Sequence, residues 1–321
     1  MGLNRLAHWT RLAVCLGAAV SYCSAHAAEP DSPVPLATSA ASAGTALAAV
    51  GQSPAADMFQ AGRRALLSKD YPLAYRLLRN AADQGYAQAQ SALGGMYLAG
   101  EGVAGDDAEA LRWYRKAAEQ GDAEAQTGLG LMYVHGRGVA VDEVAAVKWF
   151  ELAAEQGDAA GQSNLGVMYL EGRGADRNDV VAEKWIHLAA VQGEPLAQEN
   201  LGRLFRDARG VEQDEIEAAY WFRMSAEQGN ADAQTSLGLM YSEGRGVPRD
   251  TAEAAQWLRK AAEQGNALAQ YYLGVNLAEG RGVGPDLDQA LKWLTISARQ
   301  GLGLARDYLW ANGNISVDPV K

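Results

Sequence analysis

Residues 122–157 read DAEAQTGLGLMYVHGRGVAVDEVAAVKWFELAAEQG. The closing Gln-Gly pair recurs with its glycine at Gly85, Gly121, Gly157, Gly193, Gly229, Gly265 and Gly301, always 36 residues apart. Other columns keep the same register: Leu93 returns at Leu129, Leu165, Leu201, Leu237 and Leu273, and Trp113 at Trp149, Trp185, Trp221, Trp257 and Trp293. A strict period of this length is the signature of a stacked array, in which each unit buries its apolar face on its neighbours.

Within one unit, Ala89, Leu93 and Tyr97 lie at i, i+4 and i+8 on one face of a first helix. Ala110, Trp113, Tyr114 and Ala117 do the same for a second. Between them runs a Gly-x-Gly turn whose glycines end the first helix, as in Gly136-Arg137-Gly138. Gln-Gly ends the second helix, and Asp122, Asp158, Asn230 and Asn266 follow as N-caps for the next first helix. Gly94 and its copies sit inside the first helix, a cost that close approach of a neighbouring helix offsets. The tryptophan column is expected to fill the space beside them.

Six such repeats occupy 86–121, 122–157, 158–193, 194–229, 230–265 and 266–301. Before them, 57–85 reads as a helix pair with a shorter turn, and after them 302–311 reads as a capping helix and 312–321 as a tail. Arg5 and Arg11 precede the apolar run Leu12 to Val20, and Ala25-His26-Ala27 offers small residues where a signal peptidase reads. Residues 1–27 are therefore expected to be a signal peptide cleaved after Ala27, its apolar run being too short to span a bilayer. Residues 28–56, rich in Ala, Ser and Pro, are expected to be a disordered leader.

Both cysteines, Cys15 and Cys23, fall in the signal, so the mature chain is expected to hold itself together by packing alone. Losing Arg5 and Arg11 leaves 26 basic against 39 acidic residues, a balance that argues against nucleic acid and anionic lipid as partners.

The pattern A-x-x-x-L-G-x-x-Y, then G-x-G, then W-x-x-x-A-A-x-Q-G, resembles the Sel1-like repeat family, a longer-turn relative of tetratricopeptide repeats. The resemblance covers about four fifths of the chain and rests on several columns in register. It implies an all-α fold, a right-handed α-solenoid of stacked antiparallel helix pairs, acting as an adaptor or scaffold. Secreted bacterial members resemble envelope regulators, polysaccharide-export components or host-interaction factors.

Catalytic chemistry finds little support. The mature histidines are His135, placed in a turn, and His187, in a solvated column, 52 residues apart. The Gly-Arg-Gly turns follow helices and lack a phosphate-loop ending, and Glu171, Glu243 and Glu279 are spaced by the repeat and do not converge on a cleft. No Ser-x-x-Lys, zinc cluster or triad is present. The chain is read as a non-enzyme without cofactor or metal.

Recognition residues are sought where columns vary within a fixed framework. One column reads Ala92, Gly128, Asn164, Asn200, Ser236, Tyr272, and asparagine there can both donate to and accept from a peptide backbone. Arg203 replaces the Leu131, Val167, Leu239 and Val275 of its column, with Arg206 one turn on. Such an arginine should reach a carboxylate, either a partner's or that of Glu199 or Asp207. Asn164, Asn200, Arg203, Arg206, Ser236 and Tyr272 are the candidate partner-binding set. Arg137, Arg173, Arg209, Arg245 and Arg281 form a candidate basic edge, though a cation near a helix C-terminus also has a purely structural use. The expected function is a periplasmic or secreted adaptor that binds a segment of another envelope or secreted protein on its concave face, with no stable membrane insertion. The alternative is a module for a cell-envelope glycan or peptidoglycan fragment.

Overall fold

The computed structural model describes residues 53–313. Among these there are fifteen α-helices and no strand. They are α1 (Pro54–Leu67), α2 (Tyr71–Asp83), α3 (Ala87–Ala99), α4 (Asp107–Glu119), α5 (Ala123–His135), α6 (Glu143–Glu155), α7 (Ala159–Glu171) and α8 (Asp179–Val191), then α9 (Pro195–Asp207), α10 (Glu215–Glu227), α11 (Ala231–Glu243), α12 (Thr251–Glu263), α13 (Ala267–Glu279), α14 (Leu287–Arg299) and α15 (Gly303–Gly313). The fold is an all-α solenoid of antiparallel helix pairs, and within each compact unit successive helices pack on one another. Two compact units divide the chain, Met1–Gly161 and Gln162–Lys321.

The segment expected to be a signal peptide and most of the expected leader lie outside the described residues, as does the expected tail beyond Gly313. Helix α1 begins at Pro54, three residues inside the span expected to be leader, because Ser53 caps it by accepting from Ala56 N and Pro54 supplies a preset first turn. At the other end α15 runs to Gly313, two residues past the expected capping helix.

Each glycine of the Gly94 column is covered by a side chain of its own pair, but not by the tryptophan. A Cβ on Gly130 would lie 2.5 Å from the Phe150 ring, and one on Gly94 would lie 3.1 Å from Tyr114. Ile186, Phe222, Leu258 and Leu294 stand in the same relation to Gly166, Gly202, Gly238 and Gly274, and Leu78 to Gly62 in the short first pair. The covering residue is thus the one after the tryptophan column. One position along a helix turns the side chain by about 100°, and the tryptophans consequently face the preceding pair. Trp221 packs among Ile186, Ala189, Ala190, Ala197, Leu201 and Leu204. Trp257 does likewise among residues of α10 and α11.

The Gly-Arg-Gly turn closes in a similar joint. Gly136 takes φ 66° as the C-cap of α5, a left-handed conformation that favours glycine. The turn's second glycine lets the backbone touch the start of the preceding second helix: a Cβ on Gly102 would lie 2.6 Å from the Tyr71 carbonyl oxygen. Gly138, Gly210, Gly246 and Gly282 meet the carbonyls of Asp107, Asp179, Glu215 and Thr251 in the same way.

Caps are denser than expected. Asp122, Asp158, Asn230 and Asn266 accept from helix N–H groups as read from the sequence, and Glu194 joins them at α9. A second column also caps every second helix from α4 to α14: Asp106, Asp142, Asn178, Asp214, Asp250 and Asp286.

The Gln of Gln-Gly does more than end a helix. Gln228 Nε2 donates to Gln198 Oε1 at 2.8 Å, and Gln198 Nε2 donates to the Ala190 carbonyl at 3.2 Å. The same two links recur for Gln264 and Gln234 with Ala226, for Gln300 and Gln270 with Ala262, and in the first unit for Gln120 and Gln90 with Ala82 and for Gln156 and Gln126 with Ala118. Each of these five first helices is therefore tied by one buried amide to the helices on both sides of it, and a buried amide so satisfied costs little.

Candidate functional site

The first helices are buried on almost every side. In the second unit the strip left open on α9 carries Leu196, Asn200, Arg203 and Asp207, at i, i+4, i+7 and i+11. Asp232, Ser236, Leu239 and Glu243 occupy the same positions on α11, and Leu268, Tyr272 and Glu279 do so on α13. An Asn266 Nδ2 bond to Asp232 Oδ1, 2.9 Å long, holds α11 and α13 side by side. Asn200, Arg203, Ser236 and Tyr272 are thus half-buried on one strip of neighbouring first helices. Asn164 is not available in the same way. It is only 4% exposed, so the contact expected of it with a partner does not follow.

Helix α9 departs furthest from the repeat. Glu199 stands where Ser91, Thr127, Ser163 and Thr235 stand, and its side chain is 4% exposed. It pairs with Arg203, whose Nε lies 2.5 Å from Glu199 Oε1. Of the two carboxylates within reach in sequence, Arg203 takes Glu199. Arg206 takes Asp207 at 2.7 Å and covers the Phe222 ring at 5.8 Å. The bond from Arg206 holds the Asp207 carboxyl below its usual range. At the head of the helix, burial raises the Glu194 carboxyl, against the N–H groups that it caps.

The five arginines of the candidate basic edge all face carboxylates. Arg137 forks onto Asp107 at 2.6 and 3.1 Å and reaches the Leu98 carbonyl. Arg209 repeats this on Asp179 and Leu170. Arg245 pairs with Glu215 at 2.8 Å, Arg173 with Glu171 at 3.3 Å, and Arg281 with Glu279. In the first three, the acid is the first residue of the preceding second helix, so the arginine links successive repeats. Each of these arginines sits in an ion pair, with its positive charge offset locally.

His135 is the last residue of α5 and so not part of the turn. His187 is 45% exposed, with Nδ1 3.2 Å from Glu183 Oε1. Among the described residues no group of three His, Cys, Asp or Glu side chains is placed to hold a metal ion, and no helix is long and apolar enough to cross a membrane.

Sequence reasoning missed the Leu196, Leu268 and Leu304 column and the aromatic neighbours of Tyr272. Tyr271 and Tyr272 meet edge to face at 5.0 Å, and Tyr271 meets Tyr308 of α15 at 6.3 Å. A signal was present, since Tyr271 breaks a column that otherwise holds Ser, Thr or Glu.

The chain resembles solved structures of the same architecture. A protective antigen present in uropathogenic Escherichia coli strains, displaying an SLR fold, is 38% identical with a TM-score of 0.69. The match covers 82% of this chain and 58% of that protein, so this chain spans little more than half of its relative's length. A Sel1 repeat protein from Oxalobacter formigenes is 33% identical with a TM-score of 0.68, over 75% of this chain and 96% of that one. No curated protein matches the sequence. The Sel1 repeat family model matches seven consecutive segments, 45–86, 87–122, 123–158, 159–194, 195–230, 231–266 and 267–302. Seven matches in unbroken register, on a fold shared with solved members, place this chain in the Sel1 repeat family.

Proposed function

We propose that the chain is a non-enzymatic scaffold of the bacterial cell envelope, exported by its N-terminal segment, that binds a segment of another protein along the open strip of its first helices. Sel1 repeats mediate protein–protein contacts, which sets the class of function. The observation that carries the site is the contrast on α9, α11 and α13: framework columns repeat almost unchanged, while the half-buried strip changes from Asn200 and Arg203 to Ser236 and Leu239 to Tyr272. Packing alone would be served by the same side chain in every copy. Loss of the apolar N-terminal run before maturation would place the repeats outside the cytoplasm, and the relative that is a protective antigen of a bacterium is compatible with that placement.

The test is capture from a cross-linked envelope extract with the full chain, tagged at its C-terminus, beside a variant of equal melting temperature that carries Asn200→Ala with Glu199→Thr and Arg203→Leu, which removes the buried carboxylate along with its arginine. A protein enriched on the first and lost on the second supports the strip as the binding face. Equal capture by both removes it. Export is checked separately by the mature N-terminus, expected at Ala28.

A further inference from the structure

Within the second unit the open strip has two chemically different ends. At α9, the buried Glu199 holds Arg203 by Nε and is its one ion-pair partner among the described residues. A guanidinium carries five N–H donors, and Arg203 is about one third exposed, so its outer donors face the strip. The neighbouring Asp207 is already engaged by Arg206. At α13 and α15 the strip turns aromatic and aliphatic: Leu268, Tyr272 and Tyr308 are half-buried and Leu304 is 50% exposed, with Tyr271 holding the two other rings in edge-to-face contact.

Resting on the strip as the partner surface, we infer that its occupant is an extended peptide segment that carries an acidic side chain against Arg203 and a bulky apolar side chain against Tyr272 and Leu304. The two contacts are two repeats apart. Neighbouring helices pack about 10 Å apart, so the interval is about 20 Å. An extended chain rises about 3.3 Å per residue, which puts the apolar residue about six positions from the acidic one. Between them the strip offers Asn200 and Ser236, which can bond to a peptide backbone without choosing its side chains. The Glu199–Arg203 pair has a specific part in this. An unpaired arginine in a column of Leu and Val would be costly, whereas the buried carboxylate makes it tolerable and aims its free edge outward.

The experiment selects random phage-displayed dodecapeptides on the full chain, then measures binding of the enriched peptides by fluorescence anisotropy. The comparison uses two variants that each remove one proposed contact, and a third, Ser236→Trp, that blocks the strip between them. The first, Glu199→Thr with Arg203→Leu, restores what Thr235 and Leu239 show in the next repeat and is expected to fold at least as well, since apolar replacement of a buried ion pair is often neutral or stabilising. The second is Tyr272→Ser, the residue present at Ser236. Enriched peptides should share an acidic residue and a bulky apolar residue about six apart. The first variant should weaken them about tenfold or more and abolish the preference for acid. The second should weaken them while leaving that preference intact. Enriched peptides that lack this pair but are blocked by Ser236→Trp would overturn the inference and leave the binding strip standing. Failure to enrich any peptide, or enrichment indifferent to all three variants, would overturn both.

Discussion

Ala208 stands where Gly100, Gly136, Gly172, Gly244 and Gly280 stand in the other repeats, yet it adopts the same left-handed conformation, with φ 54°. A side chain costs about 1–2 kcal/mol in that region, while glycine adds freedom to the unfolded chain that offsets part of the gain. Ala208→Gly should therefore stabilise the protein by roughly 0.5–1 kcal/mol, read as a higher urea midpoint with an unchanged slope. The substitution leaves the Arg209 fork on Asp179 in place, so no ion pair enters the comparison. An unchanged or lower midpoint would mean that the turn does not carry this strain. The same repeat holds Glu194 at a cap and the Glu199–Arg203 pair, so the copy that departs most from the framework is also the one carrying polar groups a framework does not need.

At the scale of elements, helix pairing was legible because framework residues return every 36 positions, whereas three features were not. Trp113 and Tyr114 share that period equally, and only their rotation about the helix decides which covers Gly94 and which faces the previous pair. Gln at a helix end reads as punctuation, because nothing in its own column reveals that its partner is the Gln 30 residues earlier. Asn164 and Asn200 share a column but differ in burial, because exposure depends on the flanking columns as well as on the residue itself. Two substitutions test the packing. Trp221→Ala removes a ring that joins α8, α9 and α10 and should cost about 3–5 kcal/mol in denaturant unfolding. Gln198→Leu keeps the volume but removes the bonds to the Ala190 carbonyl and from the Gln228 amide, each of which keeps a backbone partner at Gly193, and should cost about 0.5–1.5 kcal/mol. If Gln198→Leu were neutral, the amide ladder would be incidental to stability.

For the molecule as a whole, the charge balance and the caps together set the response to pH. The chain carries a formal net charge of -11, so it repels itself at neutral pH. Several carboxyls are also raised by burial: Asp122, Asp158 and Glu194 among the caps. Glu124 keeps an open edge to solvent, yet the protein packed around it, and then Asp122 and Asp158, push it up to about 7. A group raised in the folded state adds stability that is complete below its unfolded pKa and lost as pH rises through the folded value. Asp179, Asp207 and Asp286 have the opposite sign. Hydrogen bonds from Arg177 and Arg209, from Arg206, and from the backbone N–H of Gln289 hold them down, so their contribution is present above the unfolded pKa and lost as pH falls below it. Stability should therefore rise as pH is lowered from about 8 to about 5 and fall again below about 4, where depressed carboxylates protonate. Calorimetric melting across this range checks the curve. Glu194→Gln should flatten part of the rise that comes as pH is lowered toward the ordinary carboxyl range while leaving the acid limb unchanged, because the groups on that limb lie elsewhere. A melting temperature that falls steadily on acidification from neutral pH would show that the ion pairs outweigh the buried caps.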